Sequence, residues 1–254
     1  MAETYSCVSR YAEAQSGFAD GLTVNPNAHL FSLAGAAIDL KLKGNTAPLS
    51  AALRNIPRDF DPGGAVTNVA LRVSLMNRDY AECERLLEAS HYDRYNDAGV
   101  GGSAGALDGY AFPKTWYEGL IARGRGNIDQ ARHAFEATRR VVEEDLTETP
   151  NAPKRILMLG LVDAALGNKE DALREGRRAV ELLPISRDAY DGPILATNLA
   201  VIYAQFGERD KALKQLESLM ALPNGPTPGT LRVEPEWDPL RGDPRFEKLA
   251  AGRE

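Results

Sequence analysis

The sequence predicts an all-α protein, an array of about six helix hairpins closed by a C-terminal cap. Two observations favour this fold class. Apolar residues make up 43% and charged residues 26% of the 254 residues, which is typical of a folded globular chain. In addition, Ala131, Ala172 and Ala212 recur at spacings of 41 and 40 residues. Self-similarity at a fixed period is the sequence signature of a repeat array.

Each unit is predicted to be a helix, a tight turn and a second helix. Gly126, Gly167 and Gly207 each precede one of these alanines by five residues. Glycine suits the left-handed position that ends a helix. A small alanine one turn into the next helix lets the two helices pack closely. Pro184 closes one unit, because proline cannot continue a helix.

The same spacing identifies weaker copies upstream. Ala14, Leu49 and Cys83 fall in the alanine position at spacings of 35 and 34 residues, although Leu49 departs from the small-residue pattern. Only a short segment precedes Ala14, so we expect an incomplete first hairpin and a start point inside a longer protein. The predicted organisation is weaker hairpins in 1–94, a Gly-rich loop in 95–111, three strong hairpins in 112–223 and a capping tail in 224–254. Within the loop, high mobility is predicted for residues 95–109.

The repeat pattern resembles the tetratricopeptide repeat (TPR), whose usual period is about 34 residues. The tail from Glu234 to Phe246, EPEWDPLRGDPRF, is similar to the tail that closes TPR arrays in a group of bacterial multidomain regulators. In those proteins the array follows a protein kinase, a nucleotide cyclase or a winged-helix domain. The resemblance implies a right-handed superhelical solenoid that serves as an interaction or sensing region of a signalling scaffold.

The tail also has a physical interpretation. A terminal repeat exposes an apolar flank that must be covered, and Trp237, Leu240 and Phe246 are predicted to cover it. Asp243 and Pro244 match the N-cap and the first position of a short final helix. We therefore favour a structural cap over a partner-binding motif.

The resemblance also implies where a partner would bind. In TPR arrays the first helix of each hairpin lines a concave groove that holds an extended or helical peptide. Arginine and lysine suit a carboxylate, asparagine suits a peptide backbone, and tryptophan suits an apolar side chain. Two alternatives stay open, a core position for Trp116 and a solvated Arg72. The predicted peptide-binding residues are Asn68, Arg72, Trp116, Arg123, Lys154, Thr197 and Asn198.

One catalytic pattern is present but poorly supported. Gly101–Gly105, GGSAG, matches the G-x-S-x-G turn of serine hydrolases, which needs a preceding strand and a following helix. Neither flank predicts these elements, and His133, the only histidine after Ser103, falls on a predicted repeat helix. We expect a non-enzymatic binding module. A dimerisation or spacer array is the alternative, and a hydrolase using Ser103 is a less favoured one.

Charge and composition exclude other classes. The net charge of −6, without a basic stripe, argues against nucleic acid as a partner. No phosphate-binding glycine motif or metal-ligand cluster occurs, so no cofactor and no metal are expected. No apolar run approaches the ~18 residues that span a bilayer, and no signal peptide is evident. We expect a protein or peptide partner, a possible homodimer, and a cytoplasmic location, with a periplasmic one open if a membrane anchor lies upstream.

Overall fold

The computed structural model describes residues 1–100 and 104–252, which are predominantly helical, as the sequence predicts. The α-helices are α1 (Ala2–Cys7), α2 (Tyr11–Val24), α3 (His29–Lys43), α4 (Ala47–Arg54), α5 (Ala65–Met76), α6 (Tyr80–Ala89), α7 (Lys114–Gly124), α8 (Ile128–Glu148), α9 (Pro153–Leu166), α10 (Lys169–Leu182), α11 (Asp191–Gln205), α12 (Arg209–Leu219), α13 (Pro228–Val233) and α14 (Pro244–Ala251). Short 3-10 helices span Pro62–Gly64 and Pro235–Leu240, and the strands are β1 (Arg94–Asn96) and β2 (Ala111–Pro113). Among these helices, none combines the length and the apolar character needed to cross a bilayer.

Consecutive helices from α1 to α12 pack against each other in pairs, and successive pairs contact one another through α8 with α9 and α10 with α11. The positions aligned by the repeat spacing all lie buried on the second helix of a pair. These are Ala14, Leu49, Cys83, Ala131, Ala172 and Ala212. Close packing of the two helices, together with burial, favours small side chains at five of these positions, and Leu49 is the exception. In the α9–α10 pair, for example, a Cβ atom at Gly160 would lie 3.2 Å from the carbonyl oxygen of Ala172.

The turn glycines adopt the backbone that the sequence predicts. Gly126, Gly167 and Gly207 have φ values of 79°, 86° and 71°, in the turns after α7, α9 and α11. A residue with a Cβ atom rarely adopts this left-handed region. The sharp connection between the two helices of these three pairs is therefore encoded locally.

The apolar core is unevenly distributed along the chain. The largest buried cluster extends from α5 to α14 and includes Tyr95, Leu107 and Phe112 from the segment between α6 and α7. Two smaller clusters lie under the N-terminal helices, one around Leu33 and one around Phe18. The strong and weak halves of the sequence pattern thus differ in the size of the core they build.

The region predicted as a Gly-rich loop begins and ends in a two-stranded sheet. β1 and β2 pair antiparallel, with Tyr95 opposite Phe112, and both rings are fully buried. In the part of this region that the structure describes, Ala104 and Leu107 are also fully buried. This burial argues against the mobility that we expected from the glycine content.

The C-terminal tail places its aromatic residues in the core. Trp237, Leu240 and Phe246 are fully buried within the largest cluster. The Asp243 carboxylate accepts a hydrogen bond from the backbone N–H of Arg245, and Pro244 is the first residue of α14. Trp237, Leu240 and Phe246 are thus core residues, and Asp243 and Pro244 begin the final helix.

The tail also makes a contact that the sequence did not predict, because α13 packs against α3. The hydroxyl group of Thr227 donates to the carbonyl oxygen of Lys41 at 2.6 Å. At Gly229 there is no room for a side chain, since a Cβ atom would lie 2.2 Å from the carbonyl oxygen of Leu40. The C-terminal tail is thereby joined to the N-terminal helices.

Candidate functional site

The predicted groove residues lie on α5, α7, α9 and α11, the first helices of four successive pairs. We call the side of these helices that contacts the segment after β1 the inner face, and Ala104–Asp108 the inner segment. Side chains from α5, α9 and α11 hydrogen-bond to the backbone of the inner segment. The chain's own residues thus occupy much of the face on which we expected a peptide.

Asn198, on α11, makes the most complete of these contacts. Its Oδ1 atom accepts from the N–H of Gly105 at 2.8 Å, and its Nδ2 atom donates to the carbonyl oxygen of Ala106 at 2.9 Å. The side chain is fully buried. Because the amide satisfies a donor and an acceptor of the backbone, this contact depends on the main chain of the inner segment and not on its side chains.

Arg72 and Lys154 hold the two ends of the inner segment. Nη2 of Arg72 donates to the carbonyl oxygen of Ala104 at 2.9 Å, and Nζ of Lys154 donates to that of Asp108 at 2.6 Å. Lys154 also forms an ion pair with Asp191 at 2.8 Å. Arg72 is buried, which corrects the alternative that it is solvated.

Asn68 and Thr197 are buried but do not contact the inner segment through hydrogen bonds. Nδ2 of Asn68 donates to the carbonyl oxygen of Tyr95 in β1 at 3.3 Å. The hydroxyl group of Thr197 donates to the carbonyl oxygen of Pro193 in its own helix at 2.8 Å. Both side chains therefore stabilise the scaffold.

Trp116 and Arg123, the remaining predicted residues, line a cavity of about 340 Å³. Helices α5, α7, α9 and α11, Gly105 of the inner segment and the 3-10 helix of the tail form its walls. The apolar walls include Leu75, Trp116, Leu120, Leu161, Ala165 and Val201. The polar lining residues are Arg78, Tyr80, Arg123, Gln205, Glu236 and Asp238.

The two arginines of this cavity differ in their partners. Arg78 pairs with Asp238, with an Nη2–Oδ1 distance of 2.7 Å. Arg123 is exposed, its guanidinium lies 5.5 Å from the Phe135 ring centroid, and it forms no hydrogen bond or ion pair with the residues that the structure describes. Arg123 is therefore available for an anionic group.

Trp116 has two roles at once. Its ring packs against Phe135, with a centroid distance of 5.4 Å, and only 7% of the residue is exposed. The same residue lines the cavity. The core position that we left open and a position in the cavity wall are thus compatible.

Glu236 is a feature of the cavity that sequence reasoning missed. Burial, and then the neighbouring Glu234, raise the pKa of Glu236 to about 7, although Arg72 and Arg123 oppose this shift. A Cβ atom at Gly105 would lie 2.8 Å from Oε1 of Glu236. The signal available in the sequence was a glutamate between Pro235 and Trp237, which we interpreted only as part of the cap.

Asp97 and Glu234, also missed, position the inner segment. The Asp97 carboxylate accepts from the N–H groups of Gly99 and Leu107, both at 2.9 Å. Oε2 of Glu234 accepts from Nε1 of Trp237 at 3.0 Å and from the N–H of Ala104 at 3.2 Å. Nothing in the local sequence distinguishes these carboxylates from solvent-exposed ones.

A second cavity, of about 420 Å³, lies between β2 and the connection from α8 to α9. Two of its three lining cations are paired with carboxylates, and the third, Arg155, donates to the backbone oxygen of Asp145 at 2.8 Å and to the hydroxyl group of Thr149. Arg94 contacts both carboxylate oxygens of Asp145 at 2.8 Å, and Lys154 is paired with Asp191. An anionic partner would have to displace these carboxylates, so this cavity is a weaker candidate.

The structure adds no support for catalysis. Ser103 lies outside the described residues. Nδ1 of His133 lies 2.7 Å from the carbonyl oxygen of Asp129 in its own helix, on the exposed side of α8. Within 1–100 and 104–252, no three His, Cys, Asp or Glu side chains are grouped as metal ligands.

No protein-family model matches the chain, and no curated protein is significantly similar to it. The geometry of the inner face is therefore the basis for a functional proposal.

Proposed function

We propose that this chain is a non-enzymatic protein- or peptide-binding module, a right-handed solenoid of TPR-like hairpins within a larger bacterial regulatory protein. Its partner docks on the inner face at the cavity beside Trp116 and Arg123. One observation carries this proposal. The cavity is the part of the predicted groove where candidate contact residues line unfilled space and are not bonded to the inner segment. One of them is an arginine that lacks an anionic partner among the described residues.

The composition of the cavity supports a binding role. Ligand pockets are mostly apolar, with a few polar groups that fix orientation. Tryptophan and arginine are also the residues enriched at binding hot spots. The volume of about 340 Å³ is at the lower end of the usual range of ~300–1,000 Å³ for ligand pockets. It suits a few side chains of a docked peptide better than a whole helix.

The inner segment limits how a partner binds. Its backbone already forms hydrogen bonds with Asn198, Arg72 and Lys154, so these side chains are not available to bind a separate peptide. The partner therefore contacts the cavity and its rim instead of following the full length of the inner face. This is a narrower site than the groove that the sequence predicts.

Selection from a random peptide library on the immobilised protein tests the proposal. Affinities of the selected peptides are then measured by fluorescence anisotropy. We expect Arg123→Glu to weaken binding at least about tenfold, which corresponds to ~1.4 kcal/mol. Arg132→Glu, an equal charge change at an exposed position of α8, is the matched control and should leave affinity unchanged. Failure to select any peptide, or equal binding by Arg123→Glu, would reject the proposal.

A further inference from the structure

Two ionisable groups face the same cavity from different parts of the chain. Arg123 is on α7, and Glu236 is on the 3-10 helix of the tail. They are close enough for each to influence the other's pKa, yet they form no ion pair in the described structure. The cavity thus has a cation on one wall and a carboxyl group on another, with apolar walls between them.

We propose that the cavity binds a carboxylate attached to an apolar group. In the docked peptide, an acidic side chain beside an apolar one supplies both parts. Glu236 contacts this carboxylate as a neutral carboxyl group. This inference rests on the proposed function and names the chemistry of the partner. The Arg123 guanidinium donates to one carboxylate oxygen, in a charge-assisted hydrogen bond. The neutral carboxyl group of Glu236 donates a hydrogen bond to the other oxygen. Leu120, Leu161 and Val201 contact the apolar group.

Charge favours a carboxylate over a phosphate. An arginine fork fits both groups, but a phosphate monoester carries about two negative charges near neutral pH. Glu234, Glu236 and Asp238 lie at or beside the cavity and would oppose the second charge. A singly charged carboxylate that accepts a hydrogen bond from Glu236 meets less repulsion than a doubly charged phosphate.

The protonation of Glu236 makes this contact sensitive to pH. The groups around it are Glu234 and Asp238 on the tail, Arg72 on α5, Tyr117 and Arg123 on α7, and Arg78 and Tyr80, which line the same cavity. Burial and Glu234 hold the pKa of Glu236 at about 7. Below this pH the neutral group donates a hydrogen bond to the ligand. Above it, two carboxylates face each other, so affinity for the ligand falls.

Isothermal titration calorimetry of the full chain with phenylbutyrate and with its neutral amide, phenylbutyramide, tests this inference. The acid is ionised at both about pH 6 and about pH 8. We expect the acid to bind more tightly than the amide at about pH 6. Because the neutral fraction of a group with a pKa of about 7 falls about tenfold between these pH values, the affinity for the acid should fall by the same factor.

Three variants assign the effect to residues. Glu236→Gln keeps a neutral donor, so it should retain the affinity for the acid and lose the pH dependence. Arg123→Gln should weaken binding of the acid at least about tenfold without affecting the amide. Arg132→Gln should change neither. Thermal unfolding of each variant verifies that it is folded before its affinity is interpreted.

Several results would overturn the inference. These are equal affinity for the acid and the amide, unchanged affinity for the acid between the two pH values, or normal binding of the acid by Arg123→Gln. Selected peptides that bind without an acidic residue would also reject it while the proposed function stands. If the acid binds with the expected pH dependence but no peptide is selected, the carboxylate site stands and the peptide partner is rejected.

Discussion

At the scale of single residues, Asn198 joins α11 to the inner segment through both ends of its amide. Asn198→Ala would leave the N–H of Gly105 and the carbonyl oxygen of Ala106 buried without these partners. A buried unsatisfied group costs about 1–3 kcal/mol. We therefore expect the free energy of unfolding to fall by about 2–4 kcal/mol, measured by urea denaturation.

Asn27→Ala is the control for this substitution. Asn27 is exposed in the turn before α3, where its side chain makes no hydrogen bond among the described residues. Its replacement should change the free energy of unfolding by no more than about 0.5 kcal/mol. Similar losses for the two variants would contradict the role assigned to Asn198.

Glu175 and Asp163 form a buried carboxyl pair between α10 and α9. Oδ1 of Asp163 accepts from Nε of Arg139 at 2.9 Å and from Nδ2 of Asn168 at 2.7 Å. Burial, and then the charge of Asp163, raise the pKa of Glu175 from its ordinary value of 4.5 to about 7. Both residues are buried, and neither lines a cavity described above. We therefore assign the pair a structural role.

This pair predicts a pH dependence of stability. Between about pH 4.5 and 7 the folded protein retains the proton of Glu175, whereas the unfolded chain has released it. The free energy of unfolding therefore falls as pH rises through this window. Denaturation of the wild type and of Glu175→Gln across the window should show a steeper fall in the wild type, on the order of 2 kcal/mol. Glu236 contributes equally to the pH dependence of both proteins, so its effect cancels in the comparison. Parallel stability profiles of the wild type and Glu175→Gln would therefore contradict the prediction.

At the scale of secondary structure, the contact between α13 and α3 depends on the absence of a side chain at Gly229. Gly229→Leu would force the two helices apart. We expect a loss of at least about 1–3 kcal/mol in the free energy of unfolding, as is typical of overpacking. Thermal and urea denaturation both measure this loss.

Ala251→Leu adds a side chain of the same kind at an exposed position of α14. It should leave stability nearly unchanged, which separates crowding at the α13–α3 contact from a general effect of a larger residue. If Gly229→Leu were as stable as Ala251→Leu, the close approach of the two helices would not be required.

The sequence predicts the helix pairs because their signals are local. Gly167 and Ala172 specify a turn and a close contact within a few residues of each other, and the structure places both as expected. β1 and β2 were not predicted, since each has only three residues and depends on its partner. The candidate groove residues lie on the first helices of their pairs, where the same local periodicity puts them, and their role in binding stays a prediction.

At the scale of the whole molecule, sequence reasoning did not identify what covers the inner face. Asn198 was expected to pair with a peptide backbone, and it does pair with one, but that backbone lies 93 residues away in the same chain. Glu236 is brought to the cavity by a tail that is distant in sequence from α7. No local pattern encodes such contacts, so the occupied face and the presence of Arg123 and Glu236 in one cavity emerge only from the folded chain.

The contact of the tail with the N-terminal helices also changes how the molecule is expected to unfold. The N–H of Asn224 donates to the carbonyl oxygen of Cys7 at 2.8 Å, and α13 lies on α3. An open array whose units touch only their neighbours melts progressively from its ends. Here the N-terminal helices and α13 cannot separate without breaking the contacts that join the two ends, so the loss of helix and the exposure of Trp116 and Trp237 should coincide in a single cooperative transition.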